Sequence, residues 1–371
     1  MTHNALYERR FPPLRSRDRQ PNHRNVADAS KFFVAPAVQS NMLGQSNPIL
    51  PTRLGRVTRW AGYLAGLLIL LACAGALYQF LGGMLDKHFN PPPGQFVEVD
   101  GLRMHLVCTG QGSPTVVLDP GLSNSWLHWY KVQPEVAKFA RVCSYDRAGL
   151  GWSDPRPGPR TSKVIAEELH SLLRNAGIAP PFVLVGHSIG GLNMQMYASL
   201  YRSEVSGMVL VDSVHADQRR VFGAEFQRGS EYWTSVMKRN LWLMPFGIPR
   251  LLGWCGTSLP DRRAALRAFD CTAQQNRGWL AEETGSETSS NQVRATGSLG
   301  DLPLVVVSRG PTNAAQKPFL AVWFALQDSL AHRSTHGRRI IAEGAGHDIH
   351  LDRPDVVIAA IRDVWDQFRP E

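Results

Sequence analysis

Cysteine is scarce in this chain: five in 371 residues, with no Cys-x-x-Cys pair and no Cys/His spacing suited to zinc. No metal and no other cofactor is expected. Net charge is scarce beyond the first 59 residues. The formal net charge is +9, but ten Lys/Arg against three acidic residues put +7 of it before Trp60, which leaves +2 for everything after. A folded part so near neutrality lacks the basic footprint of a nucleic-acid binder, and no such partner is expected. Charge is absent altogether from Trp60 to Leu85. A soluble core helix of this length would carry polar residues along one face, so the run is expected to be a membrane-spanning helix.

Around that span the chain divides. Residues 1–59, rich in Arg, Pro and Asn, are expected to be a disordered tail, with Met42 an alternative to Met1 as the start. Arg53, Arg56 and Arg59 precede the span and only Lys87 follows closely. The positive-inside rule then puts the N-terminus in the cytoplasm and everything beyond residue 86 on the outer, periplasmic or extracytoplasmic side. Disulfides are permitted there, so Cys108, Cys143, Cys255 and Cys271 are candidates for pairing, whereas Cys73 lies in the span. Residues 86–94, with Pro91-Pro92-Pro93, read as a stiff spacer.

From Gln95 strands alternate with helices. Phe96–Val99 and Arg103–Cys108 flank an Asp100-Gly101 hairpin turn. Thr115–Asp119, Arg141–Tyr145, Phe182–Val185, Gly207–Val211, Leu302–Val307 and Arg339–Ala342 read as strands. Ser162–Ala176, Ile189–Leu200 and Val356–Phe368 read as helices. The pattern predicts an α/β fold, a mainly parallel sheet covered on both faces. Residues 213–300 interrupt the rhythm at a length no simple loop has, and contain Trp233, Trp242, Trp254 and Trp279. They are expected to form several short helices capping a core made of 95–212 and 301–371.

The chemistry concentrates at a few positions. Gly186-His187-Ser188-Ile189-Gly190 joins a strand directly to a helix, the context in which G-x-S-x-G holds an exposed serine on a strained turn. A serine hydroxyl needs a base. His347, in the Gly-rich loop after the last strand, stands at the same sheet edge; His350 is the rival. The acid that orients the imidazole is expected at Asp212, directly after strand Gly207–Val211, with Asp328 and Asp217 as alternatives. The oxyanion hole needs two backbone N–H groups. Ile189 supplies one, and the loop after Thr115–Asp119 the other, at Leu122 because Pro120 has no N–H. Asp146 and Arg147 read as the structural salt bridge of a packed loop.

Five segments in order, LDPG (118–121), YDRAGLGWS (145–153), VLVGHSIGG (183–191), VLVD (209–212) and GAGHDIHLDRPDVV (344–357), resemble the α/β-hydrolase fold superfamily, in particular capped bacterial serine esterases. The resemblance implies a helical cap over the sheet and a Ser188–His347–Asp212 triad. In many of its members the acid follows the strand equivalent to 302–307. Here that strand runs into Ser308-Arg309-Gly310-Pro311-Thr312-Asn313, which has no acid. Placement after the preceding strand is similar to that in some haloalkane dehalogenases, although those enzymes and epoxide hydrolases use an aspartate nucleophile. The expected function is hydrolysis of a carboxylic ester of a small, fairly apolar molecule through an acyl-enzyme. The same triad acting on amide, thioester, lactone or carbon–carbon bonds, and a non-catalytic binding protein on this fold, are the alternatives. The oligomeric state is open.

Overall fold

In the computed structural model, residues 53–311 and 317–368 are described. The tail at residues 1–52 and the choice between Met1 and Met42 lie outside them. The chain divides between Cys73 and Ala74 into two units. The first, within the described residues, is the N-terminal part of helix α1 (Arg53–Phe89), whose side chains Trp60, Tyr63, Leu64 and Leu68 are all exposed. By length and composition α1 can cross a membrane.

Helix α1 is longer than the apolar run at both ends. Residues 53–59, expected as tail, are helical, and so are Asp86–Phe89, expected as spacer. Hydropathy locates a span, but helix propensity sets where it stops, and Arg and Leu continue a helix readily. The stop comes at Asn90, whose N–H and side-chain amide both bond the Asp86 carbonyl, at 3.0 and 2.9 Å. Pro91-Pro92-Pro93 cannot continue the helix.

In the second unit, eight strands among the described residues form one sheet: β1 (Gln95–Val99), β2 (Leu102–Thr109), β3 (Thr115–Asp119), β4 (Val142–Tyr145), β5 (Phe182–His187), β6 (Val205–Val211), β7 (Leu304–Arg309) and β8 (Gly337–Ala342). Their spatial order is β1-β2-β4-β3-β5-β6-β7-β8; β2 runs antiparallel to both of its neighbours, β1 and β4, and every other pairing is parallel. The helices between and beyond them are α2 (Gln133–Val136), α3 (Ser162–Asn175), α4 (Gly190–Leu200), α5 (Gln218–Leu243), α6 (Ile248–Leu251), α7 (Arg263–Asp270), α8 (Ala273–Arg294), α9 (Lys317–Ala331), α10 (Ile349–Asp352) and α11 (Pro354–Trp365).

The central strands are apolar on both faces because both faces are covered. Val117, Leu184, Met208 and Val306 meet Leu169 and Leu172 of α3 and Leu192 of α4 on one side. Their alternating neighbours Val116, Val185, Val209 and Val305 meet Val357, Ile361 and Val364 of α11 on the other. Strand β7 begins two residues later than expected. Pro303 cannot donate to the ladder, and Ser308 and Arg309, polar but buried, pair with Ile341 and Ala342.

Residues 213–300 contain two long helices, α5 with 26 residues and α8 with 22, instead of only short ones. Helix α5 kinks at Gly223 (φ 48°, ψ −127°). The structure bonds Cys108 to Cys143, register partners on β2 and β4, and Cys255 to Cys271.

Candidate active site

Strand β5 ends in a turn that only small neighbours permit. A Cβ on Gly186 would lie 2.6 Å from the Gly190 carbonyl oxygen, and one on Gly190 2.5 Å from that of Asp119. Between them Ser188 takes φ 54°, a conformation rare outside glycine. Its N–H bonds the Val211 carbonyl at 3.1 Å, and α4 begins two residues later.

The turn after β8 carries His347 to this edge. Its Nε2 lies 3.1 Å from Ser188 Oγ and its Nδ1 2.6 Å from Asp212 Oδ2. Asp212 directly follows β6, fully buried, and like Ser188 it has a positive φ, 41°. Burial alone would raise its carboxyl pKa. Donors on every side reverse that and hold it well below the usual carboxylate range. Those donors are the Arg309 guanidinium (Nε at 2.7 Å), His347, the Arg309 N–H at 3.1 Å and the Trp323 indole N–H at 2.8 Å.

The other expected residues fall as follows. Asp328 is on α9, paired with Arg339 at 2.5 Å. Asp217 precedes α5 and accepts from Arg294 at 2.7 Å. His350 is buried against His187 and Trp129, ring centroids 4.3 and 4.9 Å away. Leu122 and Ile189 line the same cavity as Ser188 and His347. That cavity, about 960 Å³, is lined by aromatic rings, Phe222, Phe226, Trp233, Trp279 and Phe319 among them, and by charged side chains, Arg219, Glu225, Asp270 and Glu283 among them.

Arg309, Trp323 and Glu282 were not read from the sequence. Arg309 occupies the acid-free segment after β7, its guanidinium also 2.8 Å from His347 Nδ1 and stacked 4.9 Å over Trp323. Glu282, on α8, completes a buried cluster with Arg147. Arg147 Nε donates to Glu282 at 2.5 Å and Nη1 to Asp119 at 2.6 Å, while Nη1 and Nη2 each donate, at 2.7 Å, to the carbonyls of Pro120 and Gly121. Glu282 also accepts the Ser123 N–H at 3.1 Å. Arg147 thus holds the loop that carries Leu122, and its partner on α8 lies too far along the chain for any motif to signal. Asp146 bonds His105 (2.8 Å) and the Trp126 and Trp152 N–H groups (2.8 and 3.0 Å), apart from Arg147. The expected Asp146–Arg147 pair is therefore two separate networks.

Removing Glu282 leaves the buried Arg147 guanidinium with Asp119 and two carbonyls only, its Nε without an acceptor. Glu282→Ala should lower unfolding free energy by about 3–5 kcal/mol in urea titrations. A loss under about 1 kcal/mol would show that Asp119 and the two carbonyls suffice.

His187 packs behind His347, ring centroids 4.7 Å apart, with Nε2 3.1 Å from the His347 carbonyl oxygen. Burial, and then the proximity of His347, pull its pKa down to about 4. The unfolded chain protonates this imidazole below about 6.5 while the folded one does not. Stability therefore falls as pH drops from 6.5 toward 4, by about 2 kcal/mol at pH 5 from this group. His187→Gln should flatten the decline between pH 7 and 5, measured by denaturant titration with chelator present; an unaltered slope would contradict the assignment. The chelator matters because His187, Asp348 and His350, all buried, have possible ligand atoms within 4.8 Å of one another, the grouping among the described residues that could hold a metal ion.

A family model described as the alpha/beta hydrolase fold matches residues 114–240. An uncharacterized protein of Schizosaccharomyces pombe is 27% identical over 308 residues, 73% of this chain but only 56% of its own length. The uncharacterized protein YqjL of Bacillus subtilis is 27% identical over 275 residues, 72% of this chain and 90% of that protein. Among solved structures, a thermophilic esterase from Thermogutta terrifontis superposes with a TM-score of 0.57 at 21% identity, covering 74% of this chain and 100% of the esterase. Sheet order, matched segment and this structural likeness show that the chain has the α/β-hydrolase fold.

Proposed function

We propose that this α/β-hydrolase cleaves a carboxylic ester of a fairly apolar molecule through an acyl-enzyme on Ser188. The observation that carries the reading is the hydrogen-bonded line Asp212–His347–Ser188, 2.6 and 3.1 Å, opening on a cavity rich in aromatic rings. His347 Nε2 takes the hydroxyl proton as Oγ adds to the ester carbonyl, and returns it to the departing alcohol. Water, deprotonated by the same nitrogen, then releases the acid and regenerates Ser188. Asp212 holds the imidazole and offsets its charge. The N–H groups of Ile189 and Leu122 receive the oxyanion. Asn193 donates to Asp119 at 2.8 Å, which with Arg147 ties α4 to the Leu122 loop, as such a hole requires.

In this reading residues 95–212 and 301–371 are the catalytic core and 213–300 the cap, whose aromatic side chains select apolar acyl or alcohol groups. Residues 60–85 anchor the enzyme, with the N-terminus cytoplasmic and the core on the outer side. The test is a substrate panel on the full chain in detergent: p-nitrophenyl esters from acetate to palmitate, a matched anilide series and a lactone. Ester turnover well above anilide turnover supports the proposal. Faster cleavage of the anilides or the lactone would move the bond specificity elsewhere.

A further inference from the structure

We propose that the cap surface around Trp242, Phe246, Leu251 and Leu252 lies inside a lipid leaflet, and that the site draws its ester substrates from that leaflet instead of from water. The second half rests on the ester reading above; the first does not.

Large apolar side chains crowd one part of the cap. Trp242 is 80% exposed and Leu251 71%, with Leu252, Phe246 and Trp254 exposed beside them in the sequence. A soluble surface rarely carries such a cluster without something to cover it. The candidate cover is given by what this segment touches. A Cβ on Gly75 would collide with the backbone of Phe246, and one on Gly247 would lie 2.8 Å from the Tyr78 ring. Arg250, buried, donates to Gln79 Oε1 at 3.1 Å and pairs with Asp86. The Gln79 amide in turn donates to the Cys271 carbonyl at 2.8 Å. Residues 246–250 of the cap therefore run alongside residues 75–86 of α1.

That contact fixes a depth. The uncharged run ends at Leu85, and Gly75 lies ten residues before it, about 15 Å along a helix. The hydrocarbon core is about 30 Å thick. A bilayer that takes in the run to Leu85 thus reaches Phe246 and its exposed neighbours as well. The ion pairs in the contact, Arg250–Asp86 and Arg267–Asp86 (3.8 Å), sit at the end of the run, where charge is tolerated. Trp254 links the two halves of the proposal: it is exposed next to Leu251 and Leu252, and it also lines the cavity of Ser188. An ester dissolved in the leaflet meets Trp254 first and then the other aromatic rings of the cavity that holds Ser188, and its local concentration in the leaflet far exceeds that in water.

The test uses the full chain reconstituted in phosphatidylcholine vesicles. A nitroxide on Leu252→Cys, in a Cys73→Ala background because Cys73 is the exposed free thiol, should be relaxed by oxygen and shielded from an aqueous nickel chelate. Free access of the chelate, or the spin–spin broadening expected of a second copy packed on this face, would overturn the leaflet placement whatever the enzyme cleaves. In parallel, Trp242→Glu and Leu252→Glu should each slow hydrolysis of vesicle-borne p-nitrophenyl palmitate about tenfold or more, since a carboxylate resists lipid, and leave p-nitrophenyl acetate in solution within about twofold. Unchanged palmitate turnover in both variants would overturn lateral uptake. Absence of acetate hydrolysis in the unsubstituted protein would sink the ester reading instead, and the nitroxide result would still decide the placement.

Discussion

Ser188→Ala leaves the protein folded and lowers kcat/KM toward p-nitrophenyl esters by about 10⁵-fold or more. The size follows from the chemistry. Without Oγ no acyl-enzyme forms, and only positioning and oxyanion contacts remain, which give a small residue of catalysis over water. Folding should survive because alanine keeps every main-chain bond of the turn, the Ser188 N–H to Val211 and the Gly191 N–H to the Ser188 carbonyl included. The strain at φ 54° is unchanged for a residue with the same Cβ. A variant with more than a tenth of the original activity would mean that the reaction does not pass through this hydroxyl.

Asp212→Asn should cost about 10⁴-fold in kcat with little change in KM. The carboxylate is buried and held ionised by Arg309, His347 and Trp323. An amide in its place offers an N–H₂ toward the imidazole and favours the tautomer with the proton on Nε2, which cannot accept from Ser188. The substrate cavity is not altered, so binding should persist. The control is Asp328→Asn, whose carboxylate pairs with Arg339 away from the imidazole, and which should stay within about twofold. If the Asp328 variant lost activity and the Asp212 variant kept it, the acid would have been misplaced. Because Asp212 also partners a buried guanidinium, kcat is to be referred to the folded fraction, read by circular dichroism.

The parts of this site that could be read in sequence are those built from neighbours along the chain. Ser188 announced itself because Gly186 and Gly190 must stand two residues to either side of it, and because an apolar strand runs straight into the turn. His347 was legible from its place after the last strand. Asp212 was less so: an acid after β6 is an ordinary helix-cap or loop residue until the fold brings β6 and the His347 loop to one edge. Arg309 and Trp323 gave no signal, since a cation and an indole in those positions acquire meaning only once Asp212 is seen to accept from both. Glu282 is 135 residues from Arg147 and sits in a helix whose surface is polar along much of its length. Helix length within residues 213–300 was misjudged for a related reason. Helix α8 is polar along much of its length and α5 is exposed or half-buried along most of its own, so little apolar periodicity marks how far either runs. The sheet gave no such trouble: strands apolar on both faces belong in the middle, and β3, β5, β6 and β7 are there.

The central claim is that Ser188 is a nucleophile activated by His347. It is tested most directly by treating the full chain with a fluorophosphonate and mapping the adduct by peptide mass spectrometry. One phosphonyl group on Ser188, formed much more slowly in His347→Ala, is the result expected. Full-rate labelling in the His347 variant, an adduct on another residue, or none on a protein shown to be folded would contradict it.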